Sequence, residues 1–382
     1  GWNSKDANNT YYGAQATYTL GKTNFGGQNY LIMSQPGNTD LKWEKTVTYD
    51  LGLDLSLLKE RLNITLDYYY KKTTDMLFSS NLPWYTGYIS QDQNIGDMEN
   101  QGIEVNITST NISTRDFQWQ SILNFSHNSN KLLKLNFNGN QLEDINSGAK
   151  YYEEGKAAAQ FYLYEWAGVD PQTGNPLWKY ADGTLSTTPP GANASNSTAN
   201  RITCGTGMPK VYGGLTNNFT YKDWELGFLF TFSYGGKLMN GTRAKLLEYS
   251  TSTTANNLSK EIMTMWQIEG QETDIPKLNN ASIINGYDYA VGLSTRFLEK
   301  SSYLRLKNIE VAYNVPRKWL DKTKFLTRLR IYANMTNLFT ITGYSGLDPE
   351  VSAFGSSATS AGYDNMTMPS SRSYQFGIRA SF

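Results

Sequence analysis

The catalytic chemistry that this chain could offer centres on its one histidine, His127. Ser126 and Ser129 lie beside it, and a serine next to a histidine can act as an activated nucleophile. His127 falls at the end of a predicted strand, however, where adjacent side chains point to opposite faces of a sheet. The geometry therefore opposes a Ser126–His127 couple, and we interpret His127 as an interfacial residue without a catalytic role.

Metal and cofactor sites are equally poorly supported by the residue types. One histidine and one cysteine, Cys204, are too few for a His/Cys metal site. The segment Asp170–Asn175 resembles a calcium loop but lacks its alternating oxygen ligands and its final glutamate, and no phosphate-binding G-x-x-x-x-G-K-[ST] loop occurs. We interpret Asp348–Glu350 as a loop bend fixed by its proline, and Glu153–Glu154 as a solvated edge. We therefore expect no metal, no cofactor and no enzymatic activity.

Aromatic side chains supply a different chemistry. The chain has 27 tyrosines and 9 tryptophans, and flat apolar rings suit stacking against sugars. Six aromatic residues fall in predicted extracellular loops and are the candidate substrate contacts: Trp84, Tyr85, Tyr88, Trp166, Trp178 and Trp266. The alternative is that they pack the loops together or against a partner protein.

The elements that position these residues are strands, because apolar residues recur at every second position. One such run turns at Leu58–Glu60, and another turns at Lys222–Asp223. The final segment, Ser373–Phe382, alternates without interruption over the length of about 9–11 residues that a tilted transmembrane strand needs. The alternation therefore predicts antiparallel strands with one lipid-facing side.

Composition agrees with a membrane barrel. The chain is hydrophilic on average, with a mean hydropathy of −0.52, and it has no apolar run of the roughly 18 residues that a membrane-spanning helix requires. A barrel fits these values because only every second strand residue faces lipid. The zero net charge gives no support for a nucleic-acid partner. The sequence thus predicts an all-β fold, a transmembrane antiparallel β-barrel.

Loop lengths separate a barrel from a soluble β-sandwich. The predicted connections on one side are short, namely 58–60, 111–116, 222–223 and 316–327. Those on the other side are long, namely 21–45, 73–100, 128–210, 235–302 and 341–371, with a hairpin around Asp170–Gly174. Bacterial barrels combine short periplasmic turns with long extracellular loops, whereas a sandwich does not segregate loop length. We therefore predict about ten spanning strands, the first near Tyr12–Leu20, with the long loops outside the cell.

Several segments, in order along the chain, carry a family resemblance: Asp40–Glu44, Asn100–Glu104, Gly168–Gly174, Pro209–Leu215, Ser302–Ile309, Arg330–Phe339 and Tyr344–Glu350. Together they closely resemble the C-terminal region of SusC-like TonB-dependent transporters of Bacteroidetes, the SusC/RagA family. The resemblance covers most of the chain. The chain opens at Gly1 without a secretory leader, and because an outer-membrane protein must be exported, we expect it to be part of a longer protein.

The resemblance implies a barrel of about 22 strands with a plugged lumen, of which this chain supplies about half and no plug. It implies an outer-membrane importer of an oligosaccharide or peptide, energised through TonB and covered by a SusD-like lipoprotein lid. It also implies that the barrel-assembly machinery reads the last strand through Tyr374, Phe376, Ile378 and Phe382. Residue patterns leave two alternatives open, a surface glycan-binding β-protein without transport and a passive porin.

Overall fold

The computed structural model describes residues 14–25, 28–82, 84–88, 90–135, 141–143, 150–188, 200–247, 257–277, 294–323, 325–354 and 361–382. Its strands are, in chain order, β1 (Thr17–Phe25), β2 (Gln28–Gln35), β3 (Lys45–Leu57), β4 (Leu62–Asn81), β5 (Ser90–Ser113), β6 (Phe117–Leu135), β7 (Gln141–Glu143), β8 (Lys150–Glu153), β9 (Gln160–Val169), β10 (Pro176–Lys179), β11 (Leu185–Ser186), β12 (Arg201–Thr206), β13 (Val211–Tyr221), β14 (Trp224–Tyr234), β15 (Lys237–Asn240), β16 (Leu298–Lys300), β17 (Tyr303–Asn314), β18 (Arg328–Thr342), β19 (Tyr363–Asp364) and β20 (Ser373–Ser381). Connections within these ranges hold the short helices α1 (Gly241–Leu247) and α2 (Arg317–Leu320). No helix in the described ranges is long and apolar enough to cross a membrane.

Most of the long strands join in one main sheet of nine strands, ordered β3-β4-β5-β6-β13-β14-β17-β18-β20. Every neighbouring pair in it is antiparallel, so the sheet is a meander that follows the chain. Strands β3 and β20 are its two edges among the described residues. The predicted antiparallel, all-β architecture is confirmed.

The predicted first crossing, Tyr12–Leu20, is not found in the main sheet. Residues 12 and 13 lie outside the described ranges, and the rest of the segment leads into β1. Within the described residues, β1 pairs with β2 in a separate hairpin. The main sheet therefore has nine strands in the described residues, compared with the roughly ten spanning strands that the alternation predicted.

The two faces of the main sheet differ in chemistry, because residues directly opposite each other on paired strands share a face. One row across the sheet is apolar: Leu53, Leu66, Val105, Phe125, Gly213, Phe232, Leu304 and Ile341. The adjacent row is polar: Asp54, Thr65, Asn106, Asn124, Gly214, Thr231, Arg305 and Thr340. The apolar face is also exposed, with Leu51 at 73% and Phe376 at 76%. The predicted alternation is therefore present across the whole sheet.

Connection lengths differ between the two ends of the main sheet. One end has 58–61, 114–116, 222–223 and 315–327, whereas the other end has the three longest connections, 136–210, 235–302 and 343–372, together with 82–89, which is shorter than 315–327. At the tight turn, Leu58, Lys59 and Glu60 all take positive φ values of 55°, 57° and 64°. These three consecutive residues in the left-handed conformation reverse the direction of the chain between β3 and β4.

Strand pairing extends into two of the segments that were predicted as long loops. The segment 73–100 is mostly strand, because β4 and β5 stay paired up to Asn81 and Ser90. In the segment 128–210, β6 continues to Leu135. Apolar alternation marks only the part of a strand whose face meets an apolar environment, while backbone pairing continues beyond it. An irregularity at Asp75, which has a φ of 57°, further conceals the continuation of β4.

The long connections fold together into a second region, here called the cap, which consists of β7–β12, β15, β16, β19 and α1. Its strands form a sheet around β8, β9 and β10, with β12 paired to β9, and a three-stranded sheet ordered β16-β15-β19. The predicted hairpin is confirmed, since β9 and β10 pair across the Asp170–Gly174 turn. Fully or nearly buried side chains form the core of the cap: Phe161, Leu163, Met239, Ala244, Leu247, Ile275 and Phe297.

Candidate functional site

A cavity of about 310 Å³ lies where the polar face of the main sheet meets the cap, and we call it the junction cavity. The sheet contributes Tyr212, Ser233 and Tyr303, which the register places on one polar row. The long connections contribute Lys237 on β15 and Glu350 in the segment between β18 and β20. Three long connections and three strands therefore build one concave site, in which a few polar side chains lie on a mostly apolar lining.

An arginine fixes the wall of the cavity that carries Glu350. Arg305 Nη2 lies 2.5 Å from Asp348 Oδ1, and Arg305 Nη1 lies 2.6 Å from Glu350 Oε2. The Tyr303 hydroxyl donates to Glu350 Oε1 over 2.5 Å. Arg305 and Asp348 are 2% and 4% exposed. This group of four residues, the Arg305 clamp, ties the segment after β18 to strand β17.

Asp348 is the most constrained member of the clamp. Besides Arg305, its carboxylate accepts hydrogen bonds from the backbone N–H groups of Glu350 and Ser370, both at 3.0 Å. Burial raises the pKa of Asp348, but the Arg305 guanidinium and these two N–H groups lower it more, so the pKa lies below its usual range. The predicted bend at Asp348–Glu350 is therefore held by charge as well as by Pro349.

A second polar network fastens the same segment to the cap. The Tyr344 hydroxyl donates to Asp364 Oδ2 over 2.6 Å, and the Thr242 hydroxyl bonds to Asp364 Oδ1 over 2.8 Å. Burial and the bond to Asp364 raise the pKa of Tyr344, which keeps the hydroxyl protonated as a donor. The Asn240 amide donates to Glu299 Oε1 over 3.0 Å.

No cluster of three His, Cys, Asp or Glu side chains suited to a metal occurs in the described ranges.

Three of the predicted aromatic contacts hold the cap together. Trp166 and Trp178 meet edge to face with ring centroids 5.0 Å apart. Trp178 is only 2% exposed, so it has no free face for a sugar. The indole N–H of Trp166 donates to Asp274 Oδ1 over 3.0 Å, and the Arg296 guanidinium lies over its ring. These contacts favour the alternative interpretation, in which the aromatic residues pack the connections.

Trp266 has a packing role in the Asp170–Gly174 turn. Its indole N–H donates to the Pro171 carbonyl over 2.9 Å. Its ring lies against Gly174, where φ is 72° and a Cβ atom would come within 2.4 Å of the ring. Glycine is required there for both reasons, because the left-handed conformation and the close approach exclude a side chain.

The other three predicted contacts lie on the connection between β4 and β5. Tyr85 is 75% exposed and Tyr88 is half-buried. Trp84 begins a short 3₁₀ turn, and its side chain lies outside the described part. None of the six aromatic residues belongs to the described lining of the junction cavity. The sequence prediction did not include Tyr212, Tyr303, Lys237 and Glu350, although all of these except Lys237 fall within segments that carry the family resemblance.

The predicted assembly residues lie on the apolar face or at the chain end. Tyr374, Phe376 and Ile378 are exposed on β20, an edge of the main sheet. Phe382 is exposed as well and stacks on Phe325, with ring centroids 6.1 Å apart. Their place at a sheet edge agrees with a role in joining strands, and that role stays a prediction.

An antiparallel meander with an apolar exposed face, a polar inner face and segregated connection lengths is the wall of a transmembrane β-barrel. The family model "TonB dependent receptor-like, beta-barrel" matches residues 5–338. The chain belongs to this family of outer-membrane β-barrel proteins, which is a family of transporters rather than enzymes.

Curated relatives place the chain among proteins of Bacteroidetes and confirm the SusC-like resemblance. TonB-dependent receptor P3 of Formosa agariphila is 34% identical over 379 residues, which cover 93% of this chain and 36% of that protein. TonB-dependent receptor SusC of Bacteroides thetaiotaomicron is 28% identical over 375 residues, covering 93% of this chain and 34% of SusC. The chain thus spans about a third of the length of these relatives.

Solved structures agree with this assignment. The structure of the RagAB peptide transporter matches with a TM-score of 0.78 and 29% identity, over 97% of this chain and 39% of that chain. The RagAB peptide importer in its "closed-closed" state matches with a TM-score of 0.79 and 28% identity, again over 97% and 39%. The predicted barrel wall and the fold of the cap therefore have a close structural counterpart.

Proposed function

We propose that the protein containing this chain imports a nutrient, an oligosaccharide or a peptide, across the outer membrane. In this proposal TonB supplies the energy, and a SusD-like surface lipoprotein works as a lid over the cap. The junction cavity carries the proposal, because it opens on the polar face of the sheet at the end with the long connections. A molecule that enters a barrel from outside would meet this site first.

The two faces of the main sheet support this orientation. The exposed apolar face would contact outer-membrane lipid, since many leucine, tyrosine and phenylalanine side chains there are exposed in the described residues. The polar face would line the lumen. We therefore propose that 21–45, 73–100, 128–210, 235–302 and 341–371 include the extracellular parts of the chain, and that the short connections face the periplasm.

Substrate and lid contacts are proposed for the tip of the β4–β5 hairpin. Tyr85 and Tyr88 lie there together with Trp84, apart from the core of the cap. The three tryptophans of the cap are assigned to packing instead. The protein works in this proposal as a binding and transport protein without catalytic residues.

Uptake by cells tests the proposal. Cells with and without the gene would be given labelled neutral and acidic oligosaccharides and labelled pentapeptides, each with and without a protonophore. We expect accumulation of one class to require the gene and to stop with the protonophore. Accumulation that survives the protonophore would overturn active import in favour of a porin, and surface binding without accumulation would favour a glycan-binding protein.

A further inference from the structure

We infer that the junction cavity is a subsite for an anionic group of the imported molecule, a carboxylate or sulfate, and that Lys237 is the cation that binds it. The inference rests on the proposed import function and adds a chemical class to it. It follows from the charges of the side chains that line the cavity and from the contacts that they already make.

Lys237 is a half-buried cation without a counter-ion. It lies on β15 and lines the cavity. Within the described ranges, no ion pair and no hydrogen bond involves its ammonium group. Partial removal of an ammonium group from water is unfavourable unless an anion or other acceptors replace the water. A ligand anion in the cavity would meet that requirement.

A second lysine, which is exposed and lies outside the described cavity lining, adds positive charge next to Lys237. Lys300 lies directly opposite Lys237 in the antiparallel pairing of β15 with β16, so both side chains start from the same face. Like charges that face each other across two strands destabilise the pair. Such an arrangement is relieved when an anion lies between or beside the two ammonium groups.

Within the described residues, the carboxylate that lines the cavity forms no ion pair with Lys237. Glu350 is the carboxylate of the cavity lining, but its two oxygens are engaged by the Tyr303 hydroxyl and by Arg305. Arg305 is shared with Asp348, so this wall combines one positive and two negative charges. A ligand is therefore oriented, with its anionic group toward Lys237 and away from Glu350.

Neighbouring hydroxyl groups and the cavity size define what else the subsite accepts. Tyr212 and Ser233 line it from the sheet and can donate hydrogen bonds to oxygen atoms of a ligand. The volume of about 310 Å³ lies at the lower end of the range for small-molecule sites. The cavity suits one acidic unit of a longer molecule, either an acidic amino-acid residue or an acidic sugar.

Calorimetric titration of the full-length protein with its lipoprotein partner, in detergent, tests the inference with two pairs of probes. The peptide pair is end-blocked pentaglutamate and end-blocked pentaglutamine; the sugar pair is an oligogalacturonate and a neutral galactan of equal length. The wild type should prefer the anionic member of at least one pair by about tenfold. Lys237→Gln should remove this preference without changing the binding of the neutral probe.

Two further variants separate the site from general effects. Lys237→Arg keeps the positive charge and should keep the preference. Lys210→Gln removes an exposed lysine just before β13 that is not part of the cavity lining, and it should leave all affinities within about twofold. If the wild type prefers neither anionic probe, or if Lys237→Gln retains the preference, the subsite is overturned.

Failure of the subsite is distinguishable from failure of the proposed function. If uptake of a probe requires the gene but the Lys237→Gln protein binds and imports it normally, import stands and the anion subsite falls. If the purified protein shows the Lys237-dependent preference while uptake proceeds without the gene, the subsite stands and import falls.

Discussion

Apolar side chains are exposed on one face of the main sheet, whereas they are buried in the cap. In the sheet, Leu51 and Phe376 are 73% and 76% exposed, whereas in the cap Phe161 and Phe297 are fully buried. Exposure of so many apolar residues in water would be unfavourable by about 25 cal/mol per Å². The two regions therefore cover their apolar side chains in different ways. Lipid covers the outer face of the sheet, whereas the cap has a hydrophobic core of its own.

The comparison predicts its largest effect for the core of the cap. Phe161→Ala leaves a cavity in a packed core and should destabilise the cap by about 3–5 kcal/mol. Phe376→Ala, on the exposed face of β20, removes a ring that packs only on lipid and should leave the cap unaffected. Hydrogen exchange of the full protein in detergent should show faster exchange in β9, β12 and β15 for the first variant alone.

Loss of the Arg305 clamp should lower stability nearly as much, because the clamp ties the segment after β18 to strand β17 of the main sheet. Arg305→Gln leaves the Asp348 carboxylate buried without its cation, which should cost about 3–5 kcal/mol. The segment 343–354 should then become susceptible to proteases. The matched control is Arg317→Gln, which breaks an exposed ion pair with Asp321 at 3.7 Å and should cost less than about 1 kcal/mol. Equal effects of the two variants would contradict the clamp.

Acid should open the clamp in a defined direction. The folded pKa of Asp348 is lower than its unfolded value, so its stabilising contribution is complete above the unfolded pKa, about 3.9. That contribution is lost as the pH falls through the folded pKa. Protease sensitivity of 343–354 should therefore stay low at neutral pH and rise only below about pH 4 in the wild type.

A smaller effect distinguishes the two faces of the main sheet at adjacent positions. Val105 lies on the apolar row of β5 and Asn106 on the polar row. Val105→Arg should weaken folding into lipid by about 2–4 kcal/mol, whereas Asn106→Arg should be tolerated. Folding titrations in lipid vesicles would measure both values, and an equal cost at the two positions would contradict a two-faced wall.

The smallest predicted effect concerns the rate at which Cys204, on strand β12 of the cap, reacts with an alkylating reagent. Burial raises the pKa of the Cys204 thiol to about 11, although Lys237 acts in the opposite direction. Because the thiolate is the reactive form, alkylation by iodoacetamide at pH 8 should be about a hundredfold slower in the folded protein than in guanidinium. Equal rates would show that the cap does not bury this thiol.

The same comparison explains what the sequence could predict. The alternation in β5 and the turn at Lys222–Asp223 depend on near neighbours, so the strand faces and this turn were predicted correctly. The ordered motifs identified the family. The clamp joins Arg305 to a residue 43 positions further along the chain, and no local pattern signals it. Trp178 is buried among Tyr164, Trp166 and Tyr180 of the same hairpin, and its place in a predicted loop hairpin did not indicate that burial.

The candidate substrate contacts were chosen by composition, and they stay a prediction. Aromatic residues in loops were chosen as ligand contacts, but the junction cavity is lined by Tyr212 and Tyr303 at the ends of strands. Lys237 gave no signal in the sequence, because a single lysine after a glycine pair is common at the end of a hairpin. Only the register of β15 with β16 shows that it faces Lys300.

The central claim, one face of the sheet in lipid and the other in a polar lumen, is most directly tested by spin labels along β5. Single cysteines would replace residues 103 to 108 in turn, in a Cys204→Ser background, and the labelled protein would be studied in outer-membrane vesicles. We predict that lipid-soluble oxygen has greatest access at Ile103, Val105 and Ile107, and that a water-soluble nickel chelate has greatest access at Glu104, Asn106 and Thr108. Equal access of the nickel chelate to all six positions would contradict the account.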